Sequence, residues 1–303
     1  MAGMSCGDAG VAGLRLTGVS LRAHEDCYLY QDIAYGAGGD EDGDEFGTAV
    51  ASGDFNCDGT PDVAIGVPGQ DSGDDEDVGI VVTFFGEDDW FRMGPMVSQE
   101  PWTRSEPGDR FGDALAVGDF DDDGCDDLVI GSPYENWGSR VDTGVAHVRY
   151  GSPVEHISLY YGSTITQSPN GQMEAGDEFG YALAVGDFDD DGYDDVAIGA
   201  PGEDYSNTDI DTGWVFIRMG SASGLRLSGG TTLGFGEYPA DSRGDYEEFG
   251  YALAAGDFDA DGYDDLAIGA PMEEVYTGKV FIRPGGSDGL DSTADYYYVE
   301  ADD

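Results

Sequence analysis

Apolar residues in this chain come in short runs cut by glycine, proline and acids, and nowhere at helical spacing. "YALAVGD" (181–187) alternates small and larger apolar positions, the pattern of a half-buried strand. "DVAIGAP" (195–201) is a compact β-rich run stopped by Gly and Pro, and "GWVFIRMG" (213–220) is a third strand between glycines. "GLRLSGGTTLGF" (224–235) supplies a fourth, less regular one.

The series recurs. "DEFGTAVASGDFNCDGTPDVAIGVP" (44–68), "DRFGDALAVGDFDDDGCDDLVIGSP" (109–133), "DEFGYALAVGDFDDDGYDDVAIGAP" (177–201) and "EEFGYALAAGDFDADGYDDLAIGAP" (247–271) are copies of one unit. Four strands in a repeat of this length are the signature of a propeller blade. The expected fold is all-β: a β-propeller of four blades, each of about four antiparallel strands, forming a small closed ring or an arc of a larger one. One domain spans 1–303, with repeats at about 44–108, 109–176, 177–246 and 247–303. Residues 1–43 read as an outer-strand segment, because "GLRLTG" (13–18) echoes "GLRLSG" (224–229), and that strand would complete the last blade.

The acidic loop of each unit carries the chemistry. Positions one, three, five and nine are Asp54, Asn56, Asp58 and Asp62; Asp119, Asp121, Asp123 and Asp127; Asp187, Asp189, Asp191 and Asp195; Asp257, Asp259, Asp261 and Asp265. Position six is always glycine. Oxygen ligands at alternate positions around a glycine turn suit a hard cation, Ca²⁺ above Mg²⁺, which prefers octahedral geometry and keeps its waters. Position seven (Thr60, Cys125, Tyr193, Tyr263) varies freely, as a residue offering only its backbone carbonyl can. Position twelve is isoleucine in every copy, so the bidentate glutamate of an EF-hand is missing. About four Ca²⁺ ions per chain are expected.

Composition adds limits. Glycine is abundant (50) and aromatic content is 12%, which describes a folded, turn-rich protein rather than an acidic tail. Sixty-four acids against twelve bases give a formal charge of −52, and the one lysine is Lys279. Nucleic acid and anionic membrane surfaces need a basic footprint and are poor partners, so neither nucleic-acid binding nor membrane insertion is expected. Four divalent ions leave most of that charge standing, and adaptation of the surface to high salt accounts for it as well as metal binding does. No run reaches the ~18 apolar residues of a membrane span, and "MAGMSCGDAG" is no signal peptide. An exported protein of this sequence would carry its leader outside this chain. Cys6 and Cys27 bracket the N-terminal segment and can pair in an oxidising compartment.

The pattern Phe-Gly, "GDFDxDGxxD", "IGAP" resembles the FG-GAP repeat of integrin alpha-subunit N-terminal propellers and related bacterial and archaeal surface proteins, over roughly residues 40–290. The resemblance implies calcium between the first two strands of each blade and a ligand-binding face at the opposite end. Loops 68–78, 133–143, 201–212 and 271–277, with 36–45, 99–110, 170–178 and 236–248, would form that face and carry Trp102, Tyr134, Trp137, Tyr205, Tyr238, Tyr246 and Tyr276. "RGD" at Arg243–Asp245 falls where the other copies also place Gly-Asp near their Phe-Gly, so it reads as part of the repeat.

Three non-recurring histidines and the lack of a nucleophile elbow, P-loop or dinucleotide fingerprint leave no catalytic residue to assign. The expected function is a calcium-binding, extracellular or cell-surface module for adhesion to a protein or glycan. The alternatives are a non-catalytic accessory domain of a secreted carbohydrate- or lipid-active enzyme, and a purely structural surface repeat protein.

Overall fold

The structure, a computed structural model, describes residues 2–6, 27–31, 42–87, 90–99, 103–153, 162–168, 173–204, 211–227, 230–234, 247–272, 278–290 and 297–300. Among these residues there are eighteen β-strands and no helix. β1 (Ala2–Cys6) and β2 (Cys27–Gln31) form a separate antiparallel pair in which Cys6 stands opposite Cys27. The first blade holds β3 (Val50–Gly53), β4 (Asp62–Val67), β5 (Ile80–Glu87) and β6 (Trp90–Val97). The second holds β7 (Ala114–Gly118), β8 (Asp127–Ser132), β9 (Val145–Arg149) and β10 (Gly162–Ile165). The third holds β11 (Leu183–Gly186), β12 (Asp195–Ala200), β13 (Trp214–Arg218) and β14 (Thr232–Gly234). The fourth holds β15 (Ala252–Gly256), β16 (Asp265–Ala270), β17 (Lys279–Arg283) and β18 (Tyr297–Glu300). Each sheet is a meander of one sequence repeat. The fourth strand of the fourth blade, β18, comes from its own repeat; "GLRLTG", expected to supply a completing strand, lies outside the described residues.

The core lies between blades, because a sheet must bury its apolar face against a neighbour. Phe55, Ala64, Val81 and Phe85 of the first blade meet Phe111, Leu128 and Ile130 of the second. Phe120, Val129, Ala146 and Val148 meet Phe179, Val196, Ile198 and Phe216 across the next junction. Ala197, Val215 and Ile217 meet Phe249, Leu266, Ile268 and Phe281 across the third. The glycine of each "IGAP"-type run permits this approach: a Cβ on Gly66, Gly131 or Gly199 would strike the carbonyl oxygen of Gly112, Gly180 or Gly250 in the following blade.

A buried arginine ends the third strand of blades two to four: Arg149, Arg218 and Arg283. Arg149 Nη2 donates to the Ser98 carbonyl (3.1 Å) and Arg218 Nη2 to that of Thr166 (2.9 Å), so each guanidinium staples its blade to the one before. Burial pulls both arginines down to about 10.

The inner strands adjoin in the order β3, β7, β11, β15, and β15 does not come round to pack on β3. Val50 of β3 is 63% exposed, and Phe258, just past β15, is 53% exposed. Of the two closures that the sequence leaves open, the structure has the arc.

Candidate metal centres

Each acidic loop joins the first two strands of its blade and is wound around its own aspartates. The position-one carboxylate accepts from the amides of positions five and six: Asp119 from Asp123 (3.1 Å) and Gly124 (2.9 Å), Asp187 from Asp191 (3.1 Å) and Gly192 (3.0 Å). The first and fourth loops repeat the arrangement through Asp54 and Asp257. Gly124 has φ 86°, a left-handed conformation that explains the constant glycine. Position four is also left-handed in every copy (Cys57, Asp122, Asp190, Ala260), a strain that the sequence does not announce.

The position-nine carboxylates Asp62, Asp127, Asp195 and Asp265 are buried at the root of the loops. One oxygen accepts from the position-two phenylalanine amide and the other from a glycine at the end of the third strand or just past it: Asp127 from Phe120 (3.1 Å) and Gly151 (2.8 Å), for example. Burial pushes Asp62 up to about 6, Asp127 to about 8 and Asp195 to about 7 against the pull of those amides, and neighbouring loop carboxylates push the same way.

In three loops the carboxylates converge. Asp119, Asp121 and Asp127 bring one oxygen each within 4.8 Å of the others, as do Asp187, Asp189 and Asp195, and Asp257, Asp259 and Asp265. Asp121 Oδ1 and Asp189 Oδ1 are buried there without a hydrogen-bond partner. Buried, unpartnered and like-charged oxygens facing one another fit a divalent cation, which would turn the repulsion into attraction. In the first loop Asn56 replaces an acid, and its Nδ2 donates to Asp58 Oδ2 (3.0 Å).

Position seven is held by its amide, which donates to the position-five carboxylate at 2.8–3.1 Å in all four loops. The Cys125 side chain is bonded to Cys57, with Cα atoms 4.8 Å apart, so its sulfur is no metal ligand and the first two loops are covalently joined. Nothing in the repeat pattern signals this pair, since the cysteines sit at different positions of their loops. The position-eight carboxylates Asp126, Asp194 and Asp264 face the preceding blade and accept from the amides of Asp54 (2.6 Å), Asp119 (2.8 Å) and Asp187 (3.1 Å).

At the opposite end, the loops leading into Phe-Gly bond to the second-to-third-strand loop of the blade before, as in Arg110 N to Asp77 O (3.0 Å) and Glu178 N to Asp142 O (3.1 Å). Trp137 is 40% exposed on this end, and Tyr134 is partly buried. Trp102, Tyr205, Tyr238, Tyr246, Tyr276 and the Arg243–Asp245 tripeptide lie outside the described residues. Tyr181 and Tyr251 stack at 4.8 Å near the inner strands, aromatics that the loop-based reading passed over.

This end also holds two buried acid pairs that the sequence did not single out. Asp109 neighbours Glu135, and Asp177 neighbours Glu203; Asp109 Oδ1, Glu135 Oε2 and Glu203 Oε2 are buried there without a donor, which a proton shared within each pair would supply. Burial, then the neighbouring Asp charge, pushes Glu135 and Glu203 up to about 9. The corresponding positions of the first repeat are Asp44 and Gln70.

A family model described as FG-GAP repeat matches residues 46–84, 111–148, 179–216 and 249–282. Integrin alpha pat-2 of Caenorhabditis briggsae is 31% identical over 236 residues, covering 76% of this chain and 18% of that protein. Integrin alpha-5 of Xenopus laevis is 30% identical over 192 residues, 60% of this chain and 16% of that protein. Phosphatidylinositol-glycan-specific phospholipase D of Rattus norvegicus is 33% identical over 176 residues, 56% of this chain and 20% of that protein. The chain thus spans a fifth or less of the length of these relatives. A solved exotype rhamnogalacturonan lyase, YesX, aligns with a TM-score of 0.48 at 11% identity, over 86% of this chain and 51% of that one.

Proposed function

Because this chain is an FG-GAP repeat protein, integrin alpha-like in its repeats, we propose that it is a calcium-stabilised extracellular module that binds a protein or glycan. The observation that carries the metal is the pair of orphaned oxygens, Asp121 Oδ1 and Asp189 Oδ1, each among converging carboxylates. Ca²⁺ would be held by the side chains of positions one, three, five and nine and the position-seven carbonyl, with Asn56 serving in the first loop. It would supply charge neutralisation and tie the loop to the root of the blade. The Cys57–Cys125 bond supports an oxidising, extracellular setting. No helix among the described residues is long and apolar enough to cross a membrane. The ligand would meet the end away from the metal loops, where Trp137 and the Tyr181–Tyr251 pair are exposed or half-buried.

Calorimetric titration of chelated protein with Ca²⁺ tests this reading. About four ions should bind, and Asp121→Ala and Asp189→Ala should each remove one; unchanged stoichiometry in both variants refutes the loop assignment. Saturable retention on a protein or glycan array tests the binding role. The identity with the phospholipase D favours a second reading, a non-catalytic companion to a lipid-active enzyme. Retention on glycosylphosphatidylinositol but on no protein and no lipid-free glycan would select it.

A further inference from the structure

We infer that the hairpin tip Trp137–Val141 anchors a protein interface, and that its partner is a basic protein with an apolar pocket. This rests on the binding reading above and narrows it to one loop and one class of ligand. The tip lies in the loop between the second and third strands of blade two, and the same loop of blade one is its internal control.

The two loops are built alike. In blade one Ser72 stands opposite Asp75, Ser72 N donating to the Asp75 carbonyl (2.9 Å) and Asp75 N to the Ser72 carbonyl (3.2 Å). In blade two Trp137 and Arg140 exchange the same bonds at 3.0 and 3.3 Å. Gly73 and Gly138 both turn the tip at φ 71°. Below each tip a left-handed aspartate closes the loop: Asp77 N donates to Asp71 Oδ1 (2.9 Å), and Asp142 N to Asn136 Oδ1 (3.1 Å). Blade three repeats this closure through Asp211 and Asp204 (2.8 Å), with its tip outside the described residues. One scaffold thus carries different tips. Blade one builds the hairpin with Ser72, Asp75 and Glu76, so the fold does not require Trp137, Arg140 or Val141 in their places.

Those three side chains stand in solvent. Trp137 is 40% exposed and Val141 57%. Arg140 is exposed too and pairs with no acid among the described residues, although the chain has 64 of them. Arg92, Arg104 and Arg110 all have acidic partners. Facing each other across the hairpin, Trp137 and Arg140 project to the same side. Tryptophan and arginine are the types that most often dominate binding energy at protein interfaces. The mount is stiff as well. The Val141 carbonyl accepts from Gly176 N (2.9 Å), and Asn136 Nδ2 donates to Glu106 Oε2 (3.2 Å), so docking has little left to order.

Acids surround the tip: Glu106 and Asp142 beside it, and Asp74, Glu76 and Asp77 on the hairpin of blade one, which Gly108 N joins through the Glu76 carbonyl (2.9 Å). An apolar centre within a charged rim is the anatomy of a protein interface, and a rim of one sign matches a partner of the other. A glycan fits less well. The side chains that could bind its hydroxyls, Asn136 and Thr143, are already bonded to Glu106, to Asp142 N and to the Arg140 carbonyl. The partner's pocket would take the indole, its floor or wall would offer Arg140 a carboxylate or carbonyl, and its basic rim would face the acids.

The test gives blade two the tip of blade one, by Trp137→Ser, Arg140→Asp and Val141→Glu in the calcium-loaded chain. Parent and variant are read on an array of purified extracellular proteins of known charge, beside a glycan array. The melting temperature should stay within about 2 °C and the calcium count should not change. The parent should be held saturably by basic proteins, and the variant should leave them at least tenfold faster. Its on-rate should not fall, because the rim acids remain and the variant is more acidic; in both chains that rate should drop as salt rises. A basic protein that holds both chains equally overturns the inference and leaves the binding reading standing. Retention on glycans alone, or a slower on-rate with an unchanged off-rate, overturns it too. A melt lower by several degrees would show that the tip is structural, and retention on neither array would remove both readings.

Discussion

Carboxylates crowd both ends of the second and third blades, but their oxygens are directed differently. At the loop end, those of Asp119, Asp121 and Asp127 face a common point and leave Asp121 Oδ1 without a donor. At the other end the acids come in twos, Asp109 beside Glu135 and Asp177 beside Glu203, and Asp109 Oδ1, Glu135 Oε2 and Glu203 Oε2 are likewise buried without a donor. Three converging carboxylates suit a doubly charged ion; two neighbouring carboxyls would be satisfied by one shared proton. Gln70, standing where the later repeats have Glu135 and Glu203, is a glutamate with the proton's role built into its amide. Acid content alone does not reveal a metal site; the direction of the oxygens does.

Chelation should divide the two ends most sharply. Each Ca²⁺ site held at 100 times its dissociation constant adds about 2.7 kcal/mol, so stripping the ions should lower the melting temperature by ~10 °C or more in calorimetry. An unchanged melt would mean that protons serve both ends. Next in size, Cys57→Ser with Cys125→Ser should cost about 4 kcal/mol, since the bond closes a loop with a sequence separation of 68. Chelated and calcium-loaded samples of that variant should differ more than those of the parent, because metal then holds the first two loops alone.

The proton-sharing end is read through pH. Glu135 and Glu203 have folded values raised from about 4.5 to about 9, so their contribution is complete below pH 4.5 and is lost as pH rises through 9. Calcium-loaded protein should therefore lose stability between about pH 5 and pH 9 in denaturant titrations. Glu135→Gln with Glu203→Gln should flatten that slope and add roughly 2 kcal/mol at pH 8. A slope unchanged by the double variant would show that the pairs are not sharing protons. The smallest effect is the converse: Gln70→Glu should cost about 1 kcal/mol at pH 8 and almost nothing at pH 5.

The blades were legible because each repeats a local rule: small residues in the inner strand, glycine and proline at the stops, alternating acids in the loop. "GLRLSGGTTLGF" reads as a fourth strand, and β14 lies within it at Thr232–Gly234. What escaped depends on how blades meet. Nothing within the repeats near Cys57 and Cys125 says that position four of one loop reaches position seven of the next. Asp109 and Glu135 lie 26 positions apart and join only when a blade folds back on its own Phe-Gly. The echo between "GLRLTG" and "GLRLSG" points to an outer strand from residues 1–43, but a local pattern does not say that β18 of the same repeat pairs with β17.

Three of only twelve basic residues, Arg149, Arg218 and Arg283, are sealed between blades, where backbone carbonyl oxygens receive Arg149 and Arg218. Outside, the molecule is thus even closer to a bare polyanion than its formal charge suggests. Its pull on a cationic partner will shrink as the screening length contracts from about 8 Å at physiological ionic strength to about 3 Å in molar salt. The dry guanidinium staples are shielded from those same ions. Brine should therefore slow recognition without loosening the joints of the arc.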